Sequence, residues 1–164
     1  MSTATRGVAK PKATPTTPEV AASAAQFLTP VVIDQEALVV NGKQAHWHAR
    51  GANFIGIHEL LDDVVAHAQE YADLAAERVV ALGLPVDSRI GTVAKKTTLP
   101  EMPDGFLGWE ATVAQVVAQI DAALVTVRTA IEGLESDPAS QDVVVEIERG
   151  LTKDRWMLQA HVAS

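Results

Sequence analysis

Five side chains between positions 46 and 77 are of the types that bind transition metals through nitrogen and oxygen. His58 and Asp62 are four residues apart, Asp73 and Glu77 are four residues apart, and His46 precedes both pairs. A spacing of four residues on a helix puts two side chains on one face, one turn apart. The chain contains no cysteine, which excludes thiolate ligands and cysteine nucleophiles. Imidazole and carboxylate ligands suit iron, manganese or zinc.

The two pairs must share one stripe of their helix if they are to act together. At about 100° per residue, positions 58, 62, 73 and 77 fall at about 0°, 40°, 60° and 100° around the axis. The centres of the pairs are fifteen residues apart, or about 22 Å along a helix, so one chain cannot close both on one ion. Two copies whose helices pack antiparallel about a two-fold axis can do so, and His46 completes two equivalent sites. Such mixed ligation suits a metal that changes between Fe(II) and Fe(III).

Apolar residues at three- and four-residue spacing predict four long helices. The predicted helices cover about 30–50, 54–82, 109–134 and the chain from 138 onward. Thr29-Pro30 and Asp137-Pro138 each combine an N-cap residue with proline at the first helical position. A short helix over 20–28 is an additional option before the first of them. Gly83 and Pro85 predict the end of the second helix.

The connection between the second and third predicted helices, 86–108, is long and contains glycines and prolines among polar residues. It has room for one short helical turn near Ile90. Two helical hairpins joined by a long crossover are typical of the ferritin-like four-helix bundle rather than the simple up-down bundle. No strand pattern competes, so we expect an all-α fold with a single bundle domain over 19–164.

Composition and charge restrict the location and partners of the protein. The chain has 164 residues and a formal net charge of −8, so its folded body should repel nucleic acid. No apolar run approaches the roughly 20 residues that span a bilayer, and the N-terminus lacks a secretory signal, so we expect a cytoplasmic protein without a membrane partner. Residues 1–18 carry Arg6, Lys10 and Lys12 without Asp or Glu. Their Ala, Thr and Pro content predicts a disordered, mildly basic arm that either binds DNA or is simply solvated.

The sequence around the ligand candidates resembles a known family. The matching runs are Lys43-Gln44-Ala45-His46-Trp47, Arg50-Gly51-Ala52-Asn53-Phe54-Ile55, His58-Glu59-Leu60-Leu61-Asp62, and Asp73 with Ala76-Glu77-Arg78. They closely resemble the Dps family, the DNA-binding proteins from starved cells, within the ferritin-like superfamily. The resemblance covers the first two predicted helices closely and the rest in layout. His48 departs from the family pattern, which usually has Asn there, and it either adds a ligand or tunes the site.

The resemblance implies an activity and an assembly. His46, His58 and Asp62 of one subunit and Asp73 and Glu77 of its partner would form a di-iron ferroxidase centre, so the protein would be an oxidoreductase acting on Fe(II). The implied assembly is a dodecameric cage of two-fold dimers. It would oxidise Fe(II), preferably with hydrogen peroxide, store the ferric mineral inside, and protect DNA from oxidative damage. The alternative is a nucleoid protein that mainly condenses DNA through its arms, and a purely structural cage is the least favoured reading.

Acidic residues and a tryptophan near the candidate site have two readings each. Glu59 and Asp63 are surface charges or iron-entry residues. Trp47 either packs at an interface or, as the family resemblance implies, intercepts oxidising equivalents beside the centre. In cages of the family that the sequence resembles, the region around the start of the fourth helix lines a three-fold pore. The acidic residues there either line such a pore or form an ordinary solvated face: Glu132, Glu135, Asp137, Asp142, Glu146 and Glu148.

The remaining aromatic and basic side chains have structural readings. We assign Trp109 and Trp156 to packing. Arg78 is expected to pair with a carboxylate at a subunit interface. His67 falls opposite the ligand stripe, and His161 lies near the chain end, so neither is expected to bind the metal.

Overall fold

The computed structural model describes residues 16–162, which form a bundle of helices. The helices are α1 Pro18–His48, α2 Phe54–Ala81, α3 Ile90–Lys96, α4 Trp109–Gly133 and α5 Pro138–Ala160. Two short strands, β1 Ala49–Arg50 and β2 Leu107–Gly108, pair in parallel. The predicted arm over 1–18, with its three basic residues, lies almost wholly outside the described residues.

Helix α1 is one continuous helix, so the predicted start at Thr29-Pro30 is wrong. The N-cap is Thr17, whose hydroxyl oxygen accepts a hydrogen bond from the backbone N–H of Val20 at 3.4 Å. Pro18 follows it as the first helical residue. Pro30 lies inside the helix on its exposed side, where its missing N–H costs one backbone hydrogen bond. Leu28 and Val31 on either side of it are fully buried. Packing of this apolar face therefore outweighs the helix-breaking tendency of the proline.

The four long helices pack as two hairpins, α1 with α2 and α4 with α5, and the hairpins meet through α1 with α4 and α2 with α5. The core is made of apolar side chains that all four helices turn inward, among them Leu28, Leu38, Ile57, Leu61, Ile120, Leu124, Ile147, Leu151 and Leu158. The predicted limits of α2 and α4 are correct to within one residue, and α5 begins at 138 as predicted. The ferritin-like four-helix bundle is therefore confirmed.

The crossover between α2 and α4 contains the predicted short helix, α3, and is fastened to the bundle by a buried carboxylate. Asp34 of α1 is 1% exposed. Its carboxylate accepts hydrogen bonds from Thr97 Oγ1 at 2.9 Å, from Thr98 N and Oγ1 at 2.8 and 2.7 Å, and from Thr126 Oγ1 at 2.6 Å. Four donors satisfy the buried charge and hold the crossover against α1 and α4.

The strands β1 and β2 correct the expectation that strands are absent. Ala49 pairs with Leu107 and Arg50 with Gly108. A ladder of two residues is too short to leave an alternating pattern in the sequence, so periodicity could not predict it. The pairing ties the start of α4 to the turn between α1 and α2.

Within residues 16–162, α4 is the one helix long and apolar enough to cross a membrane by length and composition. Many of its apolar side chains are buried in the bundle core, including Val113, Val116, Ile120, Leu124 and Val127. The core helix of a bundle passes the same test, so this feature is weak evidence for a membrane span.

Candidate metal centre

The turn between α1 and α2 determines how the two helices that carry the candidate ligands meet. Gly51 in this turn has a φ of 118°, which residues with a side chain rarely adopt. A Cβ atom there would also lie 2.9 Å from Cδ1 of Trp109. Farther into the hairpin, a Cβ atom on Gly42 would lie 2.7 Å from Cγ2 of Val65. Gly42 therefore allows α1 and α2 to approach closely, and Gly51 allows the turn between them to pass against Trp109.

His46 and His58 hold each other through reciprocal hydrogen bonds. Nδ1 of His46 lies 2.8 Å from the His58 carbonyl oxygen, and Nδ1 of His58 lies 3.1 Å from the His46 carbonyl oxygen. A carbonyl oxygen can only accept, so each Nδ1 carries the proton. The rings are stacked, with centroids 3.6 Å apart and planes inclined by 23°. In the neutral form, each ring therefore keeps the lone pair of Nε2 for a metal.

Asp62 lies one helical turn after His58 and forms an ion pair with Lys43. Nζ of Lys43 donates to Oδ1 of Asp62 at 2.5 Å, and Nδ1 of His46 lies 3.3 Å from the same oxygen. The hydrogen bond from Lys43 is the main cause that holds the pKa of the Asp62 carboxyl below its usual value. At neutral pH, Asp62 is thus a carboxylate, with 49% of its side chain exposed.

Asp73 and Glu77 lie near the other end of α2, and both are exposed. Because α2 is unbroken, Asp73 is about 16 Å from Asp62 along the helix axis. Within the described part of the chain, no three His, Asp or Glu side chains are grouped so that they could hold a metal ion. In one subunit, His46 contacts both His58 and Asp62 without forming a three-ligand metal site, and Asp73 and Glu77 lie apart from them.

Other predicted residues around this region lie at the surface or near it. The side chain of Trp47 is 65% exposed. Glu59 and Asp63 are exposed, and His48 is half-buried with its ring edge against Phe106, at 5.5 Å between centroids. The proposed roles of these residues in packing, iron entry or tuning the site stay predictions.

The other tryptophans differ from each other. Trp109 is half-buried and packs against the core, as predicted. Trp156 on α5 is 65% exposed, so its assignment to packing is wrong for the single subunit. Around the axis of α5 it falls about 140° from the buried Leu151, on the side of the helix that faces away from the core.

His67 and His161 make contacts away from the candidate centre. Nδ1 of His67 lies 3.0 and 3.1 Å from the two carboxylate oxygens of Asp154. Asp154 is 2% exposed, and burial raises the pKa of its carboxyl despite the nearby imidazole. Nδ1 of His161 lies 3.1 Å from Nδ2 of Asn53. Both contacts fit the prediction that these histidines are not ligands of the centre.

Arg78 pairs with a carboxylate of its own chain, and its location at a subunit interface stays a prediction. Its guanidinium donates to both carboxylate oxygens of Asp137 at 3.0 Å and to Oγ of Ser140 at 2.8 Å. Burial opposes ionisation of Asp137, but the hydrogen bonds from Ser140 and Arg78 outweigh it and lower the pKa of its carboxyl. Asp137 is 8% exposed. Its predicted place among the acidic residues of a pore or a solvated face is therefore wrong for the single subunit. Glu148 pairs with Arg128 at 3.0 Å.

Sequence reasoning missed two charged partners that shape this part of the molecule. Lys43 precedes His46 by three residues and so shares its helix face, which was an available signal for its contact with Asp62. No comparable signal joins Arg78 to Asp137, because that contact depends on how α5 docks beside α2.

Comparison with known proteins finds similar chains. A family model described as a ferritin-like domain matches residues 30–164. The DNA protection during starvation protein of Agrobacterium fabrum is 32% identical over 122 residues, which are 73% of this chain and 75% of that relative. DNA protection during starvation protein 2 of Deinococcus radiodurans is 29% identical over 136 residues, or 82% of this chain. The match spans only 56% of the length of the Deinococcus protein.

Solved structures are also similar. Dps from Microbacterium arborescens in its high iron form is 63% identical, with a TM-score of 0.87 over 90% of this chain and 97% of that chain. The tetragonal form of Mycobacterium smegmatis Dps is 29% identical, with a TM-score of 0.87 over 92% of this chain and 93% of that chain.

Proposed function

Because this chain belongs to the Dps family of ferritin-like proteins, we propose that it is a ferroxidase that oxidises Fe(II) and stores the ferric product. Membership of the family supports iron storage and DNA protection in general. We place the oxidation at sites shared between two subunits, with hydrogen peroxide as the preferred oxidant. The solved relative that is 63% identical is a high iron form, which favours iron as the metal.

The reciprocal hydrogen bonds between His46 and His58 carry this proposal. They fix the proton on Nδ1 of each ring, so two Nε2 atoms remain as nitrogen ligands on adjacent helices. Asp62 adds an oxygen ligand beside them. Nitrogen together with carboxylate oxygen is a donor set that accommodates both Fe(II) and Fe(III).

The remaining ligands come from the partner subunit in this proposal. Asp73 and Glu77 are exposed, and Asp73 lines an open groove of about 610 Å³ together with Glu36 and Glu70. Antiparallel packing of two α2 helices about a two-fold axis would bring this acidic end to the partner's histidines. Each dimer would then contain two equivalent sites, each holding a pair of iron ions.

The chemistry at such a site is a transfer of electrons from iron to the oxidant. Two Fe(II) ions lose one electron each, hydrogen peroxide accepts both, and its O–O bond breaks as two protons complete two water molecules. The carboxylates stabilise the higher charge of Fe(III), while the histidines bind both oxidation states. Because peroxide is consumed in a two-electron step, hydroxyl radicals are not released.

We place these sites in a homo-dodecameric cage in the cytoplasm, with the mineral inside. Association with the nucleoid would follow if the arm binds DNA through Arg6, Lys10 and Lys12. Three charges per arm are weak alone, but twelve arms on one particle would act multivalently. The acidic body, with a net charge of −8, opposes this binding, so direct DNA binding remains the second part of the proposal.

Mixed dimers test whether the site is shared. One variant carries His58→Ala and Asp62→Ala, and the other carries Asp73→Ala and Glu77→Ala. Each variant alone should fail to oxidise Fe(II), since each lacks half of every site. Unfolding and reassembling them together makes about half of the dimers mixed, and each mixed dimer regains one of its two sites. We therefore expect about one quarter of the wild-type rate after mixing.

Absorbance of the ferric product measures the rate, in separate runs with hydrogen peroxide and with oxygen. No recovery after mixing, with cages of normal size, would contradict a shared site. Activity in either variant before mixing would contradict the proposed ligand set. A faster rate with oxygen than with peroxide would contradict the preferred oxidant alone.

A further inference from the structure

Lys43 belongs to the sequence run that resembles the family, yet the iron chemistry proposed above gives it no role. It lies three residues before His46 on α1 and reaches across to α2. Its side chain is 39% exposed, so packing in the core does not account for it. Within residues 16–162, its ammonium donates to one group, the carboxylate of Asp62.

This contact puts a positive charge on an oxygen that the proposed site needs for iron. Nζ of Lys43 lies 2.5 Å from Oδ1 of Asp62, and Nδ1 of His46 lies 3.3 Å from that same oxygen. An ammonium group is a compact point charge that satisfies a carboxylate oxygen well. A divalent cation bound to this oxygen would face the ammonium at short range, where like charges repel strongly. The lysine and the metal therefore compete for one side of Asp62.

We propose that Lys43 is an internal competitor of the metal, which neutralises Asp62 in the empty half-site and is displaced when Fe(II) binds. This inference rests on the proposed ferroxidase function. The flexible four-carbon stem of lysine can move the ammonium into solvent, because the side chain is already partly exposed. The competition weakens metal binding, which suits an ion that must leave for storage after oxidation.

Zinc binding to the assembled full-length protein tests the competition without any redox step. Zn²⁺ accepts imidazole and carboxylate ligands and does not change its oxidation state. Lys43→Gln keeps a polar chain of similar reach and removes the charge, so we expect Zn²⁺ to bind about two- to tenfold more tightly. Lys43→Arg keeps the charge and should bind Zn²⁺ as the wild type does. The advantage of Lys43→Gln should shrink at high salt, since screening weakens the repulsion.

Two controls separate this inference from the function on which it rests. Lys153→Gln removes the same charge from an exposed position on α5, so any effect of net charge on the whole cage appears there too. Asp62→Asn replaces the carboxylate for which lysine and metal compete by a neutral amide, and it should weaken Zn²⁺ binding. Titration calorimetry measures all variants, after gel filtration has shown equal assembly.

Each outcome decides between the two ideas. Tighter binding in Lys43→Gln but not in Lys153→Gln supports the competition. Equal or weaker binding in Lys43→Gln, with loss of binding in Asp62→Asn, overturns the competitor role and leaves the ferroxidase site standing. Wild-type binding in Asp62→Asn overturns both.

Discussion

At the N-terminal end of α2, His58 is stacked on His46 and hydrogen-bonded to it, and Asp62 is paired with Lys43. At the C-terminal end, the two acidic ligand candidates are exposed to solvent. The two ends thus offer different candidate ligands, imidazoles with a carboxylate at one end and carboxylates alone at the other, and they are positioned to different degrees. The fold of one subunit arranges the histidine end in advance, whereas the acidic end is free to adjust to whatever packs against it.

The largest effect that we expect is on Fe(II) oxidation, and it should be the same at both ends of α2. Asp62→Ala and Asp73→Ala each remove one proposed carboxylate ligand. Removing a hydrogen-bond partner of a metal ligand lowers metal affinity or activity by about 10- to 100-fold. Removing the ligand itself should therefore slow oxidation by at least about 100-fold. Stopped-flow absorbance with Fe(II) and hydrogen peroxide measures the rate.

Asp63→Ala is the matched control for this comparison. It removes an exposed carboxylate that lies next to Asp62 but about 100° away around the helix. We expect it to keep most of the wild-type rate. An unchanged rate in Asp73→Ala would break the equivalence of the two ends and confine the site to one subunit.

The second effect concerns the free energy of unfolding at the C-terminal end of α2, where Arg78 forms an ion pair with Asp137. Arg78→Ala leaves the buried carboxylate of Asp137 without its counter-charge, and such losses cost several kcal/mol in buried pairs. Because Arg78 itself is 23% exposed, we expect a loss of about 2 kcal/mol in the free energy of unfolding. Guanidinium unfolding followed by circular dichroism measures it, and a loss near zero would show that the pair is not anchoring α2.

The pH dependence of this loss has a definite sign. In the folded protein the pKa of Asp137 is lowered, so its stabilising contribution is present above the unfolded pKa of about 3.9. It disappears as the pH falls through the lower folded pKa. The difference in stability between wild type and Arg78→Ala should therefore be full at neutral pH and shrink below about pH 4. A difference that grows on acidification would contradict the ion pair.

A smaller effect should distinguish the two ends of α2 in the free energy of unfolding rather than in the rate of oxidation. His58→Ala removes a stacked ring and a hydrogen bond to α1, so we expect a loss of about 1 to 2 kcal/mol in unfolding free energy. Asp73→Ala changes an exposed side chain and should stay within about 0.5 kcal/mol of the wild type. Thermal unfolding of both variants checks this, and equal losses would mean that the histidine end is no better prepared than the acidic end.

The smallest effect on the site should come from deleting residues 2–15, which leaves the N-cap Thr17 in place. Both ends of α2 are unchanged in this variant, so the rate of Fe(II) oxidation should equal that of the wild type. If the arm binds DNA, a gel-shift at low salt should show weaker retention than with the full chain. Equal mobility of DNA with both proteins would remove the role of the arm.

Local signals made most of the fold predictable. Gly83 and Pro138 mark helix limits that depend on backbone geometry alone, and the limits predicted from them are correct to within one residue. Pro30 misled the prediction of α1, because buried neighbours on both sides keep the helix continuous through it. A prediction from local propensity fails where tertiary packing stabilises the helix by more than the unfavourable residue destabilises it.

The placement of the candidate ligands His58, Asp62, Asp73 and Glu77 on one helix was also predictable, since it follows from helical periodicity on a single element. The contacts between helices were not. Whether Lys43 meets Asp62, or Arg78 meets Asp137, depends on the rotation of one helix against another, and that rotation is set by the whole core. The sharing of ligands between subunits follows from distance along α2 and stays a prediction.

The buried carboxylate of Asp34 makes one loop amide a reporter of whether the crossover stays attached to the bundle. Thr98 lies in the crossover, where amide hydrogens normally exchange with solvent deuterium quickly. Its N–H instead donates to Asp34 at 2.8 Å, and Asp34 is 1% exposed. Exchange at Thr98 must then wait until the crossover detaches from α1, so this amide should keep its hydrogen much longer than solvent-exposed amides of the same crossover.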